Sequence, residues 1–313
     1  MRNVADTYRG VLIGLGRSAP HQALERAKTV LSGDGFRFEA RRQTASDRLQ
    51  AIEIPFIAHQ PIDWLAATKR LRAFQAEYGV DLVVQPDAPT RREKRLLMID
   101  MDSTLVQTEG IDELAKEAGV GEAVSKITRR AMNGELDFAV ALRERVGLLQ
   151  GLSATALDRV AERTRLSQGA ETLIQVLRAN GCAVAVVSGG FDYFTVRLQA
   201  QLPLDYAFAN RLEIRDGHLT GQLVGEIVDG KRKAELLGEV ALKEGASLDR
   251  VLAIGDGAND LLMLGRAGLG VAYNAKPSVR EAAPATLSVP DLVGILFLLG
   301  YTESELTVQT GGH

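Results

Sequence analysis

Two carboxylates one residue apart, Asp100 and Asp102, follow the apolar run Leu96-Leu97-Met98-Ile99 and are themselves followed by Ser103 and Thr104. Four apolar residues after a charged, proline-containing stretch are too few for a helix and fit a strand buried on both faces of a parallel sheet. The carboxyl ends of such strands are where open α/β sheets hold ligands. An Asp pair with Ser and Thr at that place suits chemistry on an anion or a metal. On its own it reads equally well as a helix N-cap cluster satisfying free backbone N–H groups.

Three more stretches further along the chain shift the balance: Ser188-Gly189-Gly190, then Lys233, then Gly255-Asp256-Gly257-Ala258-Asn259-Asp260. Ser-Gly-Gly turns from an apolar strand into a helix start, whose free N–H groups attract anions. In this order the four stretches resemble the motifs of the haloacid dehalogenase superfamily of phosphohydrolases. The flanks Asp100–Val106, Val187–Phe191 and Ala207–Asn210 are similar to its phosphoserine phosphatase branch, and the resemblance covers about residues 95 to 295. It implies Mg²⁺-dependent hydrolysis of O-phospho-L-serine to L-serine and phosphate through an aspartyl-phosphate, the last step of L-serine biosynthesis.

A catalyst for phosphate monoesters must neutralise negative charge, hold an in-line nucleophile and protonate the leaving oxygen. The resemblance assigns the nucleophile to Asp100 and the general acid and base to Asp102. It gives the Mg²⁺ to Asp100, Asp256 and the Asp102 backbone carbonyl. Ser188, the Gly189 N–H and Lys233 would hold the phosphoryl oxygens; Lys233, flanked by Lys231 and Arg232, is singled out by the resemblance alone. Asn259 is implied on the substrate side, with Asp260 supporting the loop. Glu109 and Arg145 match positions that contact the substrate ammonium and carboxylate, and Met132 and Phe138 could line the pocket. Without the resemblance, Arg145 beside Arg143 would be read as a solvated helix arginine. Rival readings are another small-phosphate phosphatase, or an amino-acid-sensing protein with a vestigial site; the intact Asp100, Asp102, Lys233 and Asp256 oppose the latter. A dehalogenase would have no use for Asp102 or a metal.

The elements around these residues read as α/β: a Rossmann-like core, mostly parallel, spanning 95–300, with a helical cap inserted at about 108–167. Ile111, Leu114, Ala115 and Ala118 share one helical face there, and Phe138, Leu142 and Val146 another. Asp216-Gly217 signals a hairpin. Residues 1–85 give a β-α-β-β-α-β order, a ferredoxin-like unit similar to ACT domains, with a regulatory or dimerising role and a homodimer as the implied partner. Strands with one buried face are expected around Phe36–Ala40 and Ile52–Phe56, a helix over Pro61–Tyr78, and a core role for Trp64. Residues 86–94, with two prolines and three basic residues, are expected to be a linker to a separately folding lobe, and 301–313 a flexible tail.

The 313 residues carry a net charge of −3, which gives no electrostatic footprint for nucleic acid or an anionic membrane and favours a small-molecule substrate. The one cysteine, Cys182, excludes an intrachain disulfide and reads as a small buried hydrophobe. With no signal-like start and no long apolar run, a cytoplasmic location is expected.

Overall fold

The computed structural model describes residues 7–45, 49–132 and 135–310, with 132 and 307–310 described by their backbone alone. Strands Tyr8–Gly16 (β1), Arg37–Phe38 (β2), Arg42–Ala45 (β3), Gln50–Ala58 (β4) and Asp81–Pro86 (β5) form an antiparallel sheet in the order β2-β4-β1-β5, with β3 also on β4. Helices His21–Ser32 (α1), Trp64–Lys69 (α2) and Arg72–Tyr78 (α3) accompany it. The single helix expected over 61–78 is two. Asp63, not Pro61, begins it by accepting from Ala66 N at 2.9 Å, and a tight bond from Leu71 N to Thr68 O breaks it where Leu71 is drawn fully into the core. Trp64 packs against Phe56, as a core residue would.

This sheet has two buried faces. Leu12, Ile54, Phe56, Leu82 and Val84 pack with α1 to α3, whereas Val11, Ile13, Leu15 and Val83 join the core of the larger domain. The stretch expected to be a linker contains a short helix, Pro89–Arg92 (α4), and its Arg91 is buried. Arg91 pairs with buried Glu53, a residue expected on an exposed strand face, and its Nε donates to the Leu298 carbonyl at 3.0 Å. Gln85 Nε2 donates to the same carbonyl at 2.6 Å, and Asp81 accepts from Thr286 and Ser288. The inner face of the lobe and the larger domain thus share one core.

In the larger domain, Leu96–Ile99 (β6) leads into the cap helices Gly110–Glu117 (α5), Gly121–Met132 (α6), Phe138–Gly147 (α7) and Thr155–Arg163 (α8). There follow Ala170–Ala179 (α9), Ala183–Phe191 (β7), Asp192–Gln201 (α10), Tyr206–Arg215 (β8), His218–Val224 (β9) and Gly230–Lys243 (α11). Val251–Gly255 (β10), Leu261–Arg266 (α12), Leu269–Tyr273 (β11), Pro277–Ala282 (α13), Ala285–Leu287 (β12), Val293–Leu298 (α14) and Glu303–Thr310 (α15) complete the chain. The sheet order is β12-β11-β10-β6-β7-β8-β9, parallel except for β9. Leu96 and Met98 pack with α11 and α12, while Leu97 and Ile99 pack with α9 and α14, so β6 is buried on both faces. Register sets the site: Ile99 lies beside Ile254 and Val186, so Asp100, Asp256 and Ser188 come to within one residue of the same level toward the carboxyl ends of three adjacent strands.

The cap joins the core through two crossing segments. Val106 bridges Leu166, Gln107 N donates to Arg165 O at 3.0 Å, and Ser167 N donates to Leu105 O at 2.9 Å. The β8–β9 hairpin, turned by Asp216 and Gly217 at φ 50 and 75°, touches the cap's far side: Gly151 N reaches Leu219 O and Ala154 N reaches Gly217 O, both at 2.8 Å. The expected flexible tail is instead largely α15, anchored by buried Tyr301 and Leu306 and by the Arg92–Glu305 pair; residues 311–313 lie outside the described residues. No helix among the described residues is long and apolar enough to cross a membrane.

Removing Arg91 strands the Glu53 carboxylate inside the shared core. Arg91→Ala should therefore lower unfolding free energy by about 3–5 kcal/mol, read by urea denaturation. A change below about 1 kcal/mol would show that the lobe is only loosely docked.

Candidate active site

Asp100 ends β6, and the chain then makes a turn wider than an α-helix. Leu105 N donates to Asp100 O at 3.2 Å and Val106 N to Met101 O at 2.9 Å, each bond spanning five residues. The turn separates the two carboxylates. Asp100 Oδ1 accepts from Met101 N at 2.7 Å and faces the sheet interior, whereas Asp102 Oδ1 accepts from Gly110 N at 2.8 Å and its Oδ2 from Ser188 Oγ at 2.9 Å. Asp102 is thus held between the first turn of the cap and the Ser188 loop.

Lys233 sits opposite Asp100. Its fully buried ammonium lies 2.9 Å from Asp100 Oδ1 and 2.7 Å from Asp260 Oδ1. Asp229 starts the helix by accepting from Arg232 N at 2.8 Å, and this sets the phase that turns Lys233 onto the buried stripe with Leu236, Leu237 and Val240. The other oxygen of Asp260 accepts from Gly257 N at 3.0 Å and closes the Gly255–Asp260 loop. Asp256 Oδ1 accepts from the buried Thr104 hydroxyl at 3.0 Å.

One oxygen from each of Asp100, Asp256 and Asp260 lies within 4.8 Å of the others. Burial, reinforced by the Asp260 charge, pushes the Asp100 carboxyl well above its ordinary range and Asp256 up to about 6. Burial opposes the charge of Lys233, but Asp100 and Asp260 outweigh it and raise the ammonium's pKa. Three carboxylates against one ammonium leave an excess of negative charge among hard oxygen donors, which fits a divalent cation. The cluster's third side chain is Asp260 rather than Asp102, whose carboxylate is engaged elsewhere.

The Ser188 loop is shaped by close approach. A Cβ on Gly190 would stand 2.4 Å from Asp102 Oδ2, and one on Gly189 2.7 Å from the Phe138 ring, so the cap and Asp102 close directly over backbone. Ser188 Oγ accepts from Gly190 N at 2.7 Å while donating to Asp102. Beneath, the buried Asn210 amide donates to Gly189 O and accepts from Val228 N, both at 2.8 Å, linking this loop to the segment that leads into α11.

On the cap side, Ser103 Oγ donates to Glu109 Oε1 at 2.7 Å. Glu109 keeps contact with solvent, yet burial between core and cap, followed by the Asp102 charge, pushes its carboxyl up to about 7. Arg145 is half-buried on α7, its Nε donating to Ala141 O at 3.2 Å; burial lowers its pKa, while Asp112, Glu109 and Asp102 oppose that. Asn259 folds over Gly257 within its loop, away from any described side-chain hydrogen bond. The side chain of Met132 and residues 133–134 lie outside the described residues. A cavity of about 470 Å³ beside the crossing segments is lined by Asp102, Gly110, Leu166 and Phe194, with Asp100 and Lys233 outside its lining. Cys182 is buried with its thiol pushed up to about 12 by burial, which removes it as a nucleophile.

The fold and this site define a hydrolase of the haloacid dehalogenase type: residues 97–265 match the haloacid dehalogenase-like hydrolase family, and the chain belongs to it. Over 231 residues it is 54% identical to a phosphoserine phosphatase of Archaeoglobus fulgidus, covering 74% of this chain and 67% of that one. It is similar across both domains to a HAD family hydrolase from Salmonella enterica serovar Typhi, with TM-score 0.80, 32% identity, and coverage of 93% of this chain and 98% of that one. A structure described as a phospho-aspartyl intermediate analogue of phosphoserine phosphatase has TM-score 0.62 and 46% identity, over 65% of this chain and 98% of that one.

Sequence reading had no role for Thr104, Asn210 or Asp229. An Asp immediately before a helix is a recognisable N-cap signal, and helical spacing from Leu236, Leu237 and Val240 selects Lys233 over Lys231 and Arg232 without any relative. Asn210 was marked only as part of the Ala207–Asn210 flank of the resemblance, because its partners are 18 and 21 residues away in sequence.

Gly190→Ala should lower kcat by about a hundredfold while the circular dichroism spectrum is kept, because the new methyl must displace Asp102 or Ser188. An undiminished kcat would show that the loop yields freely.

Proposed function

We propose that the chain hydrolyses O-phospho-L-serine to L-serine and phosphate in the cytoplasm. The observation that carries this reading is the division of labour within one turn, where Asp100 lies against a buried ammonium and Asp102 is held apart by Gly110 and Ser188. Environments that separate two carboxylates in this way assign different roles to each. Burial raises the Asp102 pKa, which favours the protonated form that a general acid needs.

Asp100 uses Oδ2, which has no protein hydrogen bond among the described residues, to attack phosphorus. The P–O bond to the serine oxygen breaks, and Asp102 passes its proton to that oxygen. Asp102 then takes a proton from water as the water attacks the aspartyl-phosphate, which frees Asp100 and phosphate. Lys233, Ser188 and the Gly189 N–H hold the phosphoryl oxygens, and Asp260 and Asn210 keep those groups in place. Asp100 and Asp256, with the Asp102 backbone carbonyl that the family resemblance implies, would hold Mg²⁺, which screens repulsion between the nucleophile and the phosphate dianion. Glu109 and Arg145 take the substrate's ammonium and carboxylate, with Phe138 over the Gly189 loop closing the pocket.

Phosphate release from a panel of phosphate esters, with and without Mg²⁺, tests the reading. Phosphoserine should be the best substrate, chelation should stop turnover, and Asp100→Asn should be inactive because an amide is a poor nucleophile. Preference for another ester would reassign the substrate while leaving the hydrolase chemistry intact.

Specificity and pH dependence both arise from the cap contacts. Arg145→Ala should cost about tenfold to a hundredfold in kcat/KM on phosphoserine and much less on an aryl phosphate. Glu109 binds an ammonium only when ionised. Because its carboxyl is raised to about 7, the favourable form is populated above that value and lost as pH falls through it. Relative to an aryl phosphate, kcat/KM for phosphoserine should decline below about pH 7, and Glu109→Gln should flatten the ratio. A pH-independent ratio in the wild type would remove Glu109 from the ammonium site.

A further inference from the structure

Ser103 has a left-handed backbone, φ 55° and ψ 3°, in the middle of the turn that carries Asp100 and Asp102. The other non-glycine residues with positive φ among those described are Asp216 and Asn274, types that tolerate this region, whereas serine is a poorer fit and glycine would have no steric cost. The side chain, not the backbone, must explain serine here. Its hydroxyl donates to Glu109 Oε1 at 2.7 Å. Glu109 stands at the N-cap of α5, yet its carboxylate makes no cap bond to its own helix, and the Gly110 N–H is taken by Asp102. Among the described residues, the Ser103 hydroxyl is the hydrogen-bond partner of the Glu109 side chain. Without it, a long carboxylate at the cleft edge would have free rotamers.

We propose that Ser103 is a positioning residue for substrate selection: its hydroxyl locks the Glu109 carboxylate at a fixed offset from the Asp100–Asp102 turn, so that a phosphate ester bearing an ammonium at the matching distance is preferred. This rests on the reading in which Glu109 receives the substrate ammonium. Because Ser103 belongs to the same turn as the nucleophile, the distance between the selected cation and the attacked phosphorus is set by one rigid loop rather than by cap position.

The test compares O-phospho-L-serine with the phosphate ester of 3-hydroxypropanoate, which keeps the carboxylate and lacks the amine. The wild type should prefer phosphoserine, and Ser103→Gly should cut that preference about tenfold, chiefly through KM, as expected for losing a hydrogen bond to a charged group. Ser103→Ala should match it, although alanine keeps the backbone strain that glycine relieves, and the melting temperature of Ser103→Gly should not fall. A preference unchanged in both variants, whatever their overall activity, would overturn the proposal and leave Ser103 a turn residue. A wild type with no preference between the two esters would instead overturn the Glu109 assignment, and this inference with it.

Discussion

The ammonium of Lys233, buried between Asp100 and Asp260, is the interaction on which the rest of the site depends. A charge removed from water must be matched by opposite charge at short range, and each of these groups would be costly alone. The need for compensation fixes three elements at once: the end of β6, the start of α11 and the loop after β10. It also leaves the cluster with more negative than positive charge, because Asp256 adds a third carboxylate. Burial, reinforced by the Asp260 charge, raises the Asp100 and Asp256 carboxyls, and the excess of hard oxygen donors makes the place receptive to a hard cation.

Around this centre the chain makes repeated use of one wide turn. It directs Asp100 inward and Asp102 toward the Ser188 loop, presents the Thr104 hydroxyl to Asp256, and holds Glu109 through Ser103. Asp100, Asp102, Asp256 and Glu109 are thereby all tied to a single five-residue segment whose own bonds span five residues. Neither Asp100 nor Lys233 belongs to the cap, so their pairing is made within the core domain. The cap places Phe138 over Gly189 and carries Arg145 on the same helix.

The N-terminal lobe contributes in a different way. Its inner sheet face completes the core against α14, and Arg91 ties Glu53 to the last carbonyls of that helix, where a cation also meets the helix dipole favourably. The lobe is thus packed onto the hydrolase domain through a shared core and buried polar bonds. Alternation of polar and apolar residues in β4 pointed to a single buried face, but the uninterrupted apolar triplets Val11-Leu12-Ile13 and Leu82-Val83-Val84 already carried the signature of two.

The sequence alone determined the order of chemical groups and the elements that bear them, because apolar runs, N-caps and turn dipeptides act locally. Leu96–Ile99 had to be a buried strand and Asp216-Gly217 a hairpin turn, whereas Lys233 was singled out by resemblance alone and its place on a buried stripe came from the structure. Tertiary structure decided which distant group each would face. That Asp260 rather than the Asp102 side chain completes the acidic cluster, that Asn210 spans Gly189 and Val228, and that Glu53 is paired rather than solvated are all consequences of strand register and domain docking. Burial of a charge is a property of what stands opposite it, and no window of sequence contains both partners.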